Sequence, residues 1–289
     1  MQRPARIEGG GSDTVTWESV TAPPRAGLHS AVRQYSEFRE RSDVPIDRSE
    51  SASVDPVLIV EFEDPLLVSS AVDRESPRRW QSFAAGASQA PTATLHAGIQ
   101  HCVEVRFTPP GLYRLSGLSM HELTGRVVSL EDLFGRAGRE LPERLAAESD
   151  WGGRFGLLDS LFARAAADGP EPDNEVVHAW DRLRQTEGTA SIGAILSEIG
   201  WSRGRLAQRF REQVGLAPKA AARVLRFQRA ARLLIEPGHR SLTSVALSCD
   251  YYDQPHFNRD FRAFAGCSPT EWIAATYEDT PGTRVPSDG

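Results

Sequence analysis

Apolar residues recur at helical spacing through the last third of the chain. Leu242, Val245 and Ala246 fall at i, i+3, i+4, and Phe257, Phe261 and Phe264 at i, i+4, i+7. Residues 241–265 therefore predict two short helices, each with one buried stripe. Polar residues mark the boundaries. Ser241 and Asp253 are placed as N-caps, because a side-chain oxygen there can accept from an amide one turn on. Pro255 lies in the first turn of the second helix, where a missing N–H costs nothing. Tyr252 and Phe257 are spaced for a hydrophobic staple across the Asp253 cap. Asp250 sits where the chain must turn, and Asp tolerates left-handed backbone better than most residues. Gly266 stops the helix, and Ser268, Pro269 and Glu271 open a third with a capping box. Gln254, His256, Asn258, Arg259 and Arg262 are left toward the outside or its edges.

The same layout stands about fifty residues upstream, one supersecondary unit used twice. Ile192, Ile195, Leu196 and Ile199 give a first helix, Gly200, Trp201 and Ser202 the turn and cap. Leu206, Phe210 and Val214 give the buried side of a second helix, closed by Gly215 and Pro218. Residues 218–235 predict one continuous helix of 18 residues between the units, about 27 Å long at 1.5 Å per residue.

Upstream, the period changes to two. Residues 57–62 are a short apolar run, and 66–72 follow after Asp64 and Pro65. Residues 80–85 and 92–96 carry weaker strand patterns. Residues 101–107 alternate, with Cys102, Glu104 and Arg106 on one face and Val103, Val105 and Phe107 on the other. Pro109, Pro110 and Gly111 end that run. Residues 112–118, 121–123 and 130–134 read as helical, and 140–167 hold two helices, the second clearly amphipathic. Residues 28–38 fit either helix or strand, 41–55 read as a loop, and the polar start through residue 13 reads as disordered. The expectation is an α+β amino-terminal domain over 14–167, with barrel-like closure of its sheet left open. An extended, acidic, proline-containing linker spans 168–177. An all-α domain spans 178–277, with two helix-turn-helix units joined by a long helix, and a disordered tail covers 278–289.

The second unit resembles the second helix-turn-helix of the AraC/XylS family of transcription regulators. Ala246, Asp250, Tyr251, the run Asp253-Gln254-Pro255-His256-Phe257, Arg259, Phe261 and Gly266-Cys267-Ser268-Pro269 carry the likeness. Two departures separate the copies: Leu196 stands where the second unit has Ala246, and Gly200 where it has Asp250. The run from Val103 to Gly111, with 118–122 and 128–134, resembles the amino-terminal domain of a subset of these regulators. The resemblance implies a DNA-binding regulator with a sensory or dimerising amino-terminal domain.

Net charge is −6 over 289 residues, which alone argues against nucleic acid. Its distribution reverses that: residues 186–275 carry 12 Lys and Arg against 8 Asp and Glu, a net of +4, leaving −10 elsewhere. Lys219 is the only lysine. Three scattered cysteines suit a reducing compartment, and without an evident signal peptide or apolar span the expected location is the cytoplasm, away from membranes. Cys102 as a nucleophile, or His96, His101 and His121 as metal ligands, rank well below packing roles. No phosphate loop, nucleophile elbow or CxxC occurs, so neither enzyme activity nor a cofactor or metal is expected.

Base readout needs donors and acceptors on an exposed helix face. On the two helices expected in the DNA, about 202–214 and 253–265, Arg203, Arg205, Gln208, Arg209, Gln254, His256, Asn258 and Arg259 are the candidates. Double-stranded DNA is the expected partner. RNA polymerase, an unidentified small-molecule effector and a second copy in a homodimer are further candidates. The competing reading is a small-molecule-binding or enzymatic β-domain whose helical domain serves protein contacts.

Overall fold

The computed structural model describes residues 4–12, 14–70, 77–236 and 241–277; the expected tail at 278–289 lies outside them. The amino-terminal part is built on one antiparallel sheet: β1 Arg6–Gly11, β2 Val15–Ala22, β3 Val32–Glu50, β4 Val57–Glu61, β5 Leu66–Ser70, β6 Arg78–Trp80, β7 Ser82–Ala85, β8 Thr92–Phe107 and, later in the chain, β9 Val127–Val128. The strand path β1-β2-β3-β8-β4-β7-β9 does not close, and β5 and β6 extend it beside β8. The sheet is therefore open among the described residues, not a barrel.

β8 is the organising strand. β3 pairs along its length on one side, and on the other β4 takes residues 102–106 while β5 takes 92–95. Two sequence readings are corrected here. Residues 41–50 are strand, not loop, and residues 6–11 form an edge strand on β2 rather than a disordered start. The polar composition of 41–50 hid the strand. Its charges satisfy one another inside: the Arg48 guanidinium donates to both oxygens of Glu40 at 2.6 and 2.7 Å, and His96 Nε2 lies 2.7 Å from Glu40 Oε2. Pro45, which cannot donate to a ladder, sits in the register shift between Ser42 and Ile46.

α1 Pro109–Ser116, α2 Met120–Leu123, α3 Leu130–Ala146 and α4 Trp151–Asp168 follow. Tyr35, Leu58, Val60, Val103, Val105 and Phe107 meet Leu112, Leu141, Phe155, Leu158 and Phe162 in one core. The helices thus cover the face that alternation assigned to Val103, Val105 and Phe107, and the opposite face borders a cavity. The helical domain begins at Asn174, inside the expected linker: α5 Asn174–Gln185, α6 Ile192–Ile199, α7 Arg203–Val214, α8 Pro218–Ile235, α9 Leu242–Ser248, α10 Gln254–Ala265 and α11 Pro269–Tyr277. Its core takes in Ala52, Val54 and Ala87 from loops of the sheet domain.

Candidate nucleic-acid interface and sensory cavity

Each helix-turn-helix unit is fixed by its turn and caps. The chain turns through left-handed backbone at Gly200 (φ 69°) and at Asp250 (φ 58°), so the two residues hold the same place in the two copies. Ser202 Oγ accepts from the Arg205 amide at 3.3 Å, and Asp253 Oδ1 from the His256 amide at 2.7 Å, capping α7 and α10. Ser268 and Glu271 exchange both bonds of a capping box. The staple on α10 differs from expectation by one residue. Tyr251 is buried with its ring 5.3 Å from Phe257, while Tyr252 is 90% exposed. The buried Tyr251 ring also meets His256 edge-on at 5.3 Å, so the first tyrosine is the one that packs on α10.

Phe257, Phe261 and Phe264 are buried, as are Leu206, Phe210 and Val214. The helical period then sorts the site residues. On α7, Arg203, Arg205 and Gln208 are exposed, and the Arg205 guanidinium stacks 4.1 Å above the Trp201 ring. Arg209 is turned away from that face. Its Nε and Nη2 donate to Asp173 at 2.6 and 3.1 Å and its Nη1 to Glu212 at 2.5 Å. Expected as a DNA contact, it is here held by the residue that caps α5. Hydrogen bonding to Arg209 holds the Asp173 carboxyl below its ordinary range.

On α10, Arg259 and Arg262 are exposed. Gln254 Oε1 accepts from Thr243 Oγ1 at 2.8 Å, which ties α9 to α10. His256 is half-buried, edge-on to Tyr251 at 5.3 Å and 3.9 Å from Asp260. Asp260 is buried and accepts from Arg223 Nη2 at 2.7 Å. Asn258 is half-buried, and its Oδ1 is buried with no hydrogen-bond partner. Asn258 thus lies at the edge of the exposed face, within the outside-or-edge placement expected from the sequence.

A cavity of about 1110 Å3, which no sequence pattern announced, lies between the sheet and the helical domain. Cys102, Glu104, Arg106, Glu50, Val68 and Phe83 are among the sheet residues lining it, and Trp180, Phe227 and Trp272 face it from the helical domain. Burial pushes the Cys102 thiol well up, which leaves it protonated and inert. The polar floor continues below: the Arg48–Glu40–His96 cluster leads through Gln100 to Glu61, whose carboxyl burial pushes up to about 7. His101 is tied to Glu37 at 3.0 Å, so His96 and His101 serve carboxylates and do not converge. Among the described residues no group of three or more His, Cys, Asp or Glu is placed to hold a metal ion.

The two domains are joined by specific bonds. The Ala52 amide donates to the Phe264 carbonyl at 2.8 Å and Thr124 Oγ1 to the Gly215 carbonyl at 2.9 Å. α1 and α2 pack against α7. No helix among the described residues is long and apolar enough to cross a membrane.

Residues 195–275 match the family model of a helix-turn-helix domain. The transcriptional regulator MtrA of Neisseria gonorrhoeae is 33% identical over 90 residues, 31% of this chain and 30% of MtrA. The transcriptional regulator GadX of Escherichia coli is 28% identical over 109 residues, 38% of this chain and 35% of GadX. The chain thus spans about a third of the length of these curated relatives. A solved structure of ToxT from Vibrio cholerae superposes with a TM-score of 0.45 at 10% identity, over 83% of this chain and 97% of ToxT. Matched sequence and duplicated, capped helix pairs agree: the carboxy-terminal domain of this chain is a helix-turn-helix domain of the AraC/XylS type.

Proposed function

We propose that this chain is a sequence-specific transcription regulator that reads duplex DNA with α7 and α10 and senses a small molecule in the cavity. The observation that carries the DNA reading is the pair of capped helices whose exposed faces bear Arg203, Arg205 and Gln208 on one and Arg259 and Arg262 on the other. α8, about 27 Å long, separates them by a span suited to successive major-groove segments about 34 Å apart. Gln254 and Asn258 flank the α10 face as base readers. Arg209 acts as a positioning residue through Asp173. The protein is non-enzymatic and works in the cytoplasm, where its DNA is. Contact with RNA polymerase and a homodimer belong to the same reading.

The test is fluorescence anisotropy of the full chain on promoter-region duplexes selected from random sequence. A specific site should emerge, and affinity should fall steeply between about 50 and 200 mM salt, with a slope of about −0.9 per neutralised phosphate. Failure to select any site, or binding indifferent to salt, would overturn the reading. Analytical ultracentrifugation of the same protein tests the dimer.

A further inference from the structure

The cavity has a charge imbalance that points to the kind of molecule it takes. Among the described residues, four arginines on its wall are each already held by a carboxylate of the chain. Arg33 pairs with Asp55 at 2.9 Å, Arg48 with Glu40 at 2.6 Å, Arg106 with Glu104 at 2.5 Å and Arg114 with Glu171 at 2.5 Å. Arg184 stands at the helical-domain end, one turn from Asp181 on the same helix. Glu50 is different. It ends β3 at the cavity wall and makes no hydrogen bond or ion pair within 4 Å among the described residues. Its side chain is exposed to the cavity, and desolvation by the protein around that cavity pushes its carboxyl up to about 7. The charges of Arg106 and Arg48 favour its ionised form and that of Glu104 opposes it, and burial outweighs them. At the sheet end of the cavity, an anionic ligand would have to break one of these ion pairs to find a counter-charge. A cation finds one waiting. Phe38, Ile59, Leu66, Val68 and Phe83 supply an apolar wall in the same cavity, and its volume suits a drug-sized molecule.

We propose that the cavity binds a cationic amphiphile, an amine whose nitrogen sits at Glu50 and whose aliphatic or aromatic body lies against Phe38, Val68 and Phe83. This rests on reading the cavity as the sensing site, and it names the chemistry of what is sensed. The ammonium supplies the counter-charge and hydrogen-bond donors that Glu50 lacks, and the body displaces water from apolar wall.

Two matched probe sets test this on the full-length protein by isothermal titration calorimetry: 4-phenylbutylamine, 4-phenylbutanol and 4-phenylbutyrate, and octylamine, octanol and octanoate. The amine of each set should bind at least tenfold more tightly than its alcohol and its carboxylate. Glu50→Gln should remove that tenfold preference, and Glu50→Asp should keep part of it. Equal or tighter binding of the carboxylates, no binding of either amine, or an undiminished amine preference in Glu50→Gln would each overturn the proposal. The charge series on the natural chain decides the matter even where a variant fails to fold. Anisotropy on DNA with and without saturating amine separates the two ideas. Tight, Glu50-dependent binding that leaves DNA affinity unchanged upholds the ligand class and overturns the sensing role. Carboxylate binding that shifts DNA affinity does the reverse.

Discussion

Phe261→Ala and Arg259→Ala lie two residues apart on α10 and should have opposite consequences. Phe261 is fully buried, and its ring lies 5.0 Å from Phe227, 5.5 Å from Phe257 and 5.8 Å from Trp272. It therefore joins α8, α10 and α11 at one point. Removing a buried Phe side chain costs about 3–5 kcal/mol in transfer and cavity terms. The upper half of that range is expected here, because three surrounding rings cannot collapse into the space. Against a total of about 5–15 kcal/mol for a domain, that is enough to unfold a marginal one. Arg259 is exposed, so its loss should change stability by no more than about 0.5 kcal/mol. Urea denaturation followed by far-ultraviolet circular dichroism measures both. Anisotropy then asks what Arg259 does on DNA. A base contact predicts a loss of about 1–3 kcal/mol on the selected site and little on random duplex. A phosphate contact predicts similar losses on both, with the salt slope shallower by about 0.9. A Phe261→Ala cost below about 1 kcal/mol, or an Arg259→Ala cost exceeding it, would refute the assignment of faces on which the DNA reading rests.

Three further outcomes are expected. Asp173→Asn removes the negative partner of Arg209, a pair between a quarter and a third exposed, and should cost about 1 kcal/mol after solvent screening; a cost no greater in the natural background than in Arg209→Met, measured by a double-mutant cycle, would refute the clamp. Asn258→Ala deletes an amide oxygen that is buried without a partner, so stability should hold or rise slightly while affinity for the selected site falls by about 1–3 kcal/mol; equal loss on random duplex would mean that it reads no base. Glu61 carries a folded-state value of about 7 against an ordinary 4.5. The folded state therefore holds its proton longer, and stability falls as pH rises between the two values. Relative to Glu61→Gln, the natural chain should lose about 2–3 kcal/mol between pH 5 and 8 in urea titrations, and a flat difference would refute the shift.

What the sequence made legible was local. The phenylalanine spacing on α10, the caps at Ser202, Asp253 and Ser268, and the equivalence of Gly200 with Asp250 are set by residues within one or two turns of each other. The alternation of residues 102–107 was equally readable: Val103 and Val105 went to the helical core, and Glu104 and Arg106 to the other face. The failures share a physical reason, which is that the deciding partner lies far along the chain. Residues 41–50 look like a polar loop until β8 supplies their ladder and His96 closes the Glu40–Arg48 cluster. That Arg209 pairs with Asp173, 36 residues away, could not be read from its own helix either. Tyr251 and Tyr252 are chemically identical, and only the packing of Tyr251 against His256 and Phe257 tells them apart.

The same distance argument bears on how a ligand at Glu50 would reach the DNA. A ligand shifts an equilibrium only by its difference in affinity for the two states, so it must touch something that differs between them. The cavity meets that condition twice. Trp180, Phe227 and Trp272 of the helical domain form part of its wall, so an occupant contacts both domains directly. Two residues after Glu50, the Ala52 amide donates to the carbonyl of Phe264 on α10, and one residue later Ser53 accepts from Gln228 on α8 at 3.4 Å. The segment that carries the uncompensated carboxylate is thus bonded to the helix that would enter the major groove. Any rearrangement of Glu50 on binding acts on α10 through three covalently linked residues, with no long chain of side chains between.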